Sequence, residues 1–182
     1  MNQHGMLENI ISHSLEVTRV ALYLCEELNK RGQCIDPHLV EAASLLHDLA
    51  KTECLLTRED HAQQGYDLLK KMGHDKIGQV VAQHVRVWKE GDPSSVSEEE
   101  VVNYADKRVC HNRIVSLEAR FQDLKDRYGK GWTSLGQLKE LEEATLKIER
   151  KIFSILQTDS NALERLRRNP VGGKRPNRKG QK

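Results

Sequence analysis

Aromatic residues make up only 4% of this 182-residue chain, so its interior has to be built from Leu, Ile, Val and Ala. That palette suits packed helices better than a β-sandwich. No stretch stays apolar long enough to cross a bilayer, which gives no ground for a membrane-spanning reading. The four cysteines, Cys25, Cys34, Cys54 and Cys110, are scattered without a CxxC pair. The first residues also lack a charged stretch followed by a long apolar one. A disulfide framework is therefore not indicated, and a reducing, cytoplasmic location is the expectation. Charge of one sign is missing as well: charged residues reach 31%, but the formal net charge is only +2. Composition thus offers no general case for nucleic-acid binding.

What is present is helical periodicity with clear punctuation. From Leu7 to about Lys30, Ile10, Val17, Val20, Ala21, Leu24 and Leu28 recur at the 3.6-residue period. Asp36-Pro37 reads as an N-cap with proline at the first helical position. The helix that follows carries Leu39, Ala42, Ala43 and Leu46 inward and ends near His47-Asp48-Leu49-Ala50-Lys51. Thr57 and Asp60 resemble a capping box opening a third helix that runs to about Met72. Gly73-His74-Asp75 is a turn, and Ile77, Val80 and Val81 mark a short fourth helix. After a loop with Gly91 and Pro93, Ser97 and Glu100 form a capping box flanked by a Val96 and Val101 staple. The helix they open holds Val102, Ala105 and Val109 and is expected to continue or bend through Ile114, Leu117, Phe121 and Leu124 until Gly129 and Gly131 stop it.

Beyond those glycines, Leu138, Leu141, Thr145, Ile148, Ile152 and Ile155 alternate three and four apart. This narrow seam either packs a helix on the main bundle or pairs two copies of the chain as a coiled coil. From Arg165 to Lys182 the chain is rich in Arg, Lys, Gly and Pro and reads as a disordered basic tail. Such a tail supports at most weak contact with RNA or another polyanion. The expected organisation is all-α: a helical domain over 1–131, a helical extension over 132–164 and the tail over 165–182.

Against this frame the polar residues on apolar faces stand out. His13 is in line with Ile10, Val17 and Val20, and His61 with Gly65, Leu68 and Met72. His84 follows Ile77, Val80 and Val81 at helical spacing, and Asp106 abuts Val102 and Val109. A lone histidine on an apolar face is more often a hydrogen-bonded core residue than a ligand. Several of them, together with a carboxylate that is costly to bury without a cation, want one common explanation. Imidazole nitrogen and carboxylate oxygen together suit a divalent metal that keeps positions open for water, the composition used in metal-assisted hydrolysis. His4, His38 and His74 have no inward placement, whereas His111, near Asp106, could face a substrate.

The strings Leu45-Leu46-His47-Asp48-Leu49-Ala50-Lys51 and Asn103-Tyr104-Ala105-Asp106-Lys107 resemble the central and closing motifs of the HD-domain metal-dependent phosphohydrolases. The resemblance covers roughly residues 7 to 128 and implies an HD-domain helical bundle in which His13, His47, Asp48 and Asp106 hold one metal. This chain is similar to the subset with two further histidines. There, His61 and His84 would bind a second ion and Asp48 would bridge both. Two cations about 3.5 to 4 Å apart can share a hydroxide and clamp a phosphoryl oxygen.

The implied activity is hydrolysis of a nucleotide or related small phosphate ester or anhydride by metal-activated hydroxide. Asp48 and Lys51 are the catalytic candidates, and Lys51, Arg86 and Lys107 are candidates for substrate phosphate. Trp88 is a candidate to stack on a base or to cover the bundle. The metal is Fe, Mn, Ni, Co or Zn, with Mg a further option, in one or two copies. By size and histidine series the chain looks like the HD-type hydrolases that cut dinucleoside tetraphosphates symmetrically, but it departs from them after His61 and after His84. The GYP signature of the cyclic-dinucleotide branch is absent. The alternatives are a nucleotide- or metal-binding sensor with little turnover and a di-iron oxygenase using the same ligands.

Overall fold

The computed structural model describes residues 5–88, 91–128 and 132–167. Helix α1 (Glu8–Asn29) is the long spine. Its apolar positions Ile10, Val17, Val20, Ala21, Leu24 and Leu28 are all buried, as the period requires. Helix α2 (Pro37–Leu46) packs along it. The Asp36 carboxylate accepts from the backbone N–H of His38 at 2.9 Å and Leu39 at 3.2 Å, which satisfies N-terminal donors and fixes where the helix begins. The face that α2 buries is centred on Val40, Ala43 and Ser44, with Leu39, Ala42 and Leu46 half-buried.

The next elements differ from the sequence expectation. His47 to Ala50 form a turn, and Lys51 opens a separate helix, α3 (Lys51–Thr57). Thr57 closes that helix and does not cap the next. The N-cap of α4 (His61–Lys71) is Asp60, whose side chain accepts from Ala62 N at 2.9 Å and Gln63 N at 3.4 Å. Met72, expected inward, is exposed because the helix has already ended. Gly73, at φ +86°, bonds to the Lys70 carbonyl while His74 N reaches the Leu69 carbonyl. This Schellman arrangement needs a left-handed residue at that point. It reverses the chain into α5 (Asp75–Ala82), which packs closely on α4.

Helix α6 (Glu98–Lys107) opens with the expected reciprocal box: Glu100 N donates to Ser97 Oγ at 3.3 Å and Ser97 N donates to Glu100 Oε2 at 3.1 Å. Both staple residues, Val96 and Val101, are buried. The helix does not continue through Ile114. It stops at Lys107 and gives way to a two-residue hairpin, β1 (Val109–Cys110) and β2 (Arg113–Ile114), before α7 (Leu117–Tyr128). The architecture is otherwise all-α.

Helix α8 (Trp132–Leu156) packs on α1, α6 and α7 of the same chain. Thr145, Ile148 and Ile152 of its seam are buried, and Phe153 and Leu156 widen the buried stripe. Polar links tie α8 to α6, since Tyr104 donates to Glu149 and Lys151 contacts both Glu100 carboxylate oxygens at 2.8 and 2.9 Å. A short 3-10 turn over Ser160–Leu163 leads into α9 (Glu164–Arg167), so the first residues assigned to the basic tail are helical. The rest of that tail, residues 168–182, and the stop at Gly129 and Gly131 lie outside the described residues. Among the described residues no helix is long and apolar enough to cross a membrane.

Candidate metal centre

Helix ends deliver most of the polar cluster. His13 comes from the first half of α1, His47 and Asp48 from the turn after α2, and His61 is the first residue of α4. His84 stands two residues past α5, and Asp106 is the penultimate residue of α6. Their ligand atoms converge. His13, His47 and Asp48 form one group with all ligand atoms within 4.8 Å of one another, and Asp48, His61 and His84 form another. Asp48 is common to both. Its Oδ1 lies 3.3 Å from His61 Nε2 and 3.5 Å from His84 Nε2, while its Oδ2 lies 3.5 Å from His47 Nε2. Asp106 Oδ1 joins the first group, 3.0 Å from His13 Nε2 and 3.7 Å from His47 Nε2.

Three of the four imidazoles are held from behind by backbone. The Nδ1 atoms of His13, His47 and His84 each lie 2.7 Å from a carbonyl oxygen, of His111, Ser44 and Val81 respectively. A carbonyl can only accept, so Nδ1 carries a hydrogen and Nε2 is the nitrogen turned toward the cluster. This is the orientation that a cation needs. His61 Nε2 and His84 Nε2 are 3.1 Å apart, close enough for one to donate to the other or for both to face one cation.

Burial, with His47 and His61 beside it, pushes the His84 imidazole down to about 4 despite the pull of Asp48, so it is neutral and able to ligate at neutral pH. Burial works against charge on His47 too, but Asp48 and Asp106 outweigh it and raise its pKa. Burial would raise both carboxyls. Asp48 is nevertheless held well below the ordinary range by His47, His61 and His84, and Asp106 by Lys107, His13 and His47. Both remain carboxylates.

The donor set fits a divalent cation on a further ground. Among the described residues, His47 Nε2 and Asp48 Oδ1 are buried atoms with no hydrogen-bond partner. A polar atom left in that state costs about 1–3 kcal/mol, and a cation at each group satisfies it.

The lysines and arginines named from the sequence have different fates. Lys51 Nζ lies 2.6 Å from Asp48 Oδ2, and its side chain is 34% exposed. Burial lowers its pKa, but the carboxylates of Asp48 and Asp106 outweigh that and raise it, so it stays an ammonium. His61 is 26% exposed, whereas His13, His47, Asp48, His84 and Asp106 are at 9% or less. The cluster therefore opens on the side of Lys51 and His61. Lys107, expected at substrate phosphate, is instead buried, donating to Asp106 Oδ2 at 2.7 Å and to the His84 carbonyl at 2.9 Å. It positions the ligands from behind, with Asn103, which donates to the carbonyls of Gln83 and His84 at 3.0 Å each.

Arg86, likewise expected at phosphate, is exposed and pairs with Glu140 of α8 at 3.3 Å. With Val87, Leu141 and Ile148 it lines a separate cavity of about 500 Å³ against α8, to which none of the six cluster residues contributes. Trp88 is exposed.

The role of His111 and the presence of Arg120 are not directly legible in the sequence. The His111 side chain is exposed, and what it gives the site is its carbonyl. Arg120 of α7 is buried, its Nε has no partner among the described residues, and its charge is felt by Lys51. Its place one residue before the buried Phe121 is the available sequence signal.

A buried helical His/Asp cation cluster with the dipeptide His47-Asp48 at its junction defines the class. The HD domain sequence model matches residues 10–128, and the chain belongs to the HD domain family. It is also 30% identical, over 157 residues, to the tRNA (cytidine(56)-2'-O)-methyltransferase of Picrophilus torridus. That alignment covers 78% of this chain but only 40% of the relative, so the chain spans about two fifths of the length of the curated protein it matches. No solved structure matches the chain significantly.

Proposed function

We propose that the chain is a metal-dependent phosphohydrolase acting on a nucleotide or a related small phosphate ester or anhydride. What supports this most is the shared carboxylate: Asp48 presents one oxygen to the His61/His84 group and the other toward His47, so two cation positions meet at one residue. His13, His47, Asp48 and Asp106 would hold one divalent ion, and Asp48, His61 and His84 a second. Bound divalent cations supply Lewis-acid polarisation of a phosphoryl oxygen and lower the pKa of water to near neutrality.

The protein's own groups do the rest. The closed side excludes water from His47 and His84, and the open side lets a phosphate approach past Lys51. The Lys51 ammonium, held charged next to Asp48, is placed to leave that carboxylate for a phosphate oxygen and to offset charge as it develops there. Lys107 keeps Asp106 ionised and in place without touching substrate.

The alignment with a tRNA methyltransferase adds RNA to the substrates worth testing. The deciding experiment is metal analysis of the purified protein combined with a panel of nucleotides, an aryl phosphate and a 5'-phosphorylated RNA under added Mn, Fe, Co, Ni or Zn. Phosphate release that disappears in Asp48→Ala supports the proposal. Nucleotide binding without turnover under every metal supports a sensor instead, and metal-coupled substrate oxidation supports an oxygenase.

A further inference from the structure

A third convergence of ligand atoms lies on the hairpin between α6 and α7. Cys110, His111 and Asp123 also place one ligand atom each within 4.8 Å of one another. The set mixes a thiol, an imidazole and a carboxylate, none of which belongs to the central cluster. Cys110 is partly buried, Asp123 of α7 is half-buried and His111 is exposed, so the group faces solvent on one side only.

The hairpin is built to present these side chains. Cys110 pairs with Arg113 across a two-residue turn, and His111 stands at the first turn position with φ +56°. That left-handed position favours glycine, and a residue with a Cβ is strained there. The same turn aims the His111 carbonyl at His13 Nδ1. On the opposite side, Arg120 and Arg127 both pair with Asp123 through Oδ2, so the other oxygen is not claimed by either arginine. The Cys110 thiol and an Asp123 carboxylate oxygen lie within 4.8 Å of each other.

We infer that Cys110, His111 and Asp123 form a separate cation site, suited to zinc or another borderline-soft divalent ion, on the outer face of the hairpin that orients His13. Thiolate, imidazole and carboxylate are the donors such an ion takes, three from the protein and water in the fourth position. On binding, the cation replaces the thiol proton, which passes to solvent. Thiolate and carboxylate together match the two charges of the ion, and the arginines keep their hold on Oδ2. A loaded site fixes the turn through the side chain of the residue whose carbonyl holds His13, so it braces the central cluster from outside.

The site is independent of whether the central cluster hydrolyses phosphate, and the test reads it separately. The central six ligands contain no sulfur, so titrating the full chain with cobalt(II) gives a thiolate-to-cobalt charge-transfer band only if a cysteine ligates. The expected result is a band in the wild-type protein that is lost in Cys110→Ser, weakened in Asp123→Asn, and retained in His84→Ala while that variant loses a central ion. Should Cys110→Ser fail to fold, His111→Gly serves in its place: it removes the imidazole, relieves the positive φ and keeps the carbonyl, and it too should weaken the band. Absence of a band in the wild type, or an undiminished band in Cys110→Ser, overturns the inference and in the second case points to exposed Cys34.

Discussion

Gly78→Ala tests how the second ligand group is held. A Cβ at position 78 would lie 2.9 Å from Tyr66 Cδ2, 3.2 Å from the Tyr66 carbonyl oxygen and 3.5 Å from Leu69 Cβ. The ring can turn, but the carbonyl belongs to the α4 backbone, so the two helices must separate. Overpacking of this kind costs about 1–3 kcal/mol, and the better helix propensity of alanine returns about 1 kcal/mol. A net loss of up to about 2 kcal/mol is expected, or up to roughly 8 °C in Tm for a chain of this size. The separation also has a directional effect. His61 begins α4, and His84 is held through Nδ1 by the Val81 carbonyl of α5, so the 3.1 Å approach of their Nε2 atoms widens while His13 and His47 stay put. Affinity for one of two ions should fall about 10–100-fold, the usual scale for disturbing the support of a ligand, with the other unchanged. Thermal melts and calorimetric metal titration read both effects. Gly65→Ala is the internal comparison: its Cβ meets only Val81 Cγ1, at 3.0 Å, and its effect should be smaller. If Gly78→Ala is as stable as the wild type and binds both ions equally well, the close approach does not set the ligand spacing.

Asp48→Ala should abolish binding of both ions and His61→Ala chiefly one, as metal analysis after dialysis will show; equal losses would mean that Asp48 is not shared. Lys107→Met leaves Asp106 Oδ2 buried without its ammonium and should destabilise the metal-free protein by about 3–5 kcal/mol in urea unfolding. Added metal should recover part of that, and a substitution without effect on stability would mean that Lys107 does not hold Asp106 in place. Ile152→Ala should cost about 2–5 kcal/mol independently of protein concentration, because Ile152 is fully buried within one chain. A concentration-dependent loss would instead place the seam between two copies.

Where the sequence was legible, local chemistry and period agreed. The α1 stripe and the Ser97–Glu100 box needed nothing beyond the residues that form them. The register that put His13, His84 and Asp106 inward rested on the same periodicity. It did less well where an element is shorter than its own signal. The hairpin at 109–114 is too brief to show alternation and reads as part of the helix before it, and α3, only seven residues long, leaves no period of its own between the end of α2 and the cap of α4. Thr57 was preferred to Asp60 as a cap because both side chains can accept, and only the backbone geometry decides which does. Little in the sequence marks Lys107 or Arg120 as buried, because a basic residue is rarely buried without a partner. The partner of Lys107 is its neighbour Asp106, and the ion pair of Arg120 with Asp123 is made within α7.

Five of the six cluster residues stand at or within two residues of a helix terminus, on four different connections. Helix termini are where native chains fray first, so the cation centre is drawn from the parts of the backbone that open most easily. An ion there would act as a clasp on the ends of α2, α4, α5 and α6, lending the folded chain the free energy of its own binding. Hydrogen exchange at those scattered termini should then slow together when the metal is added, as if they were one segment.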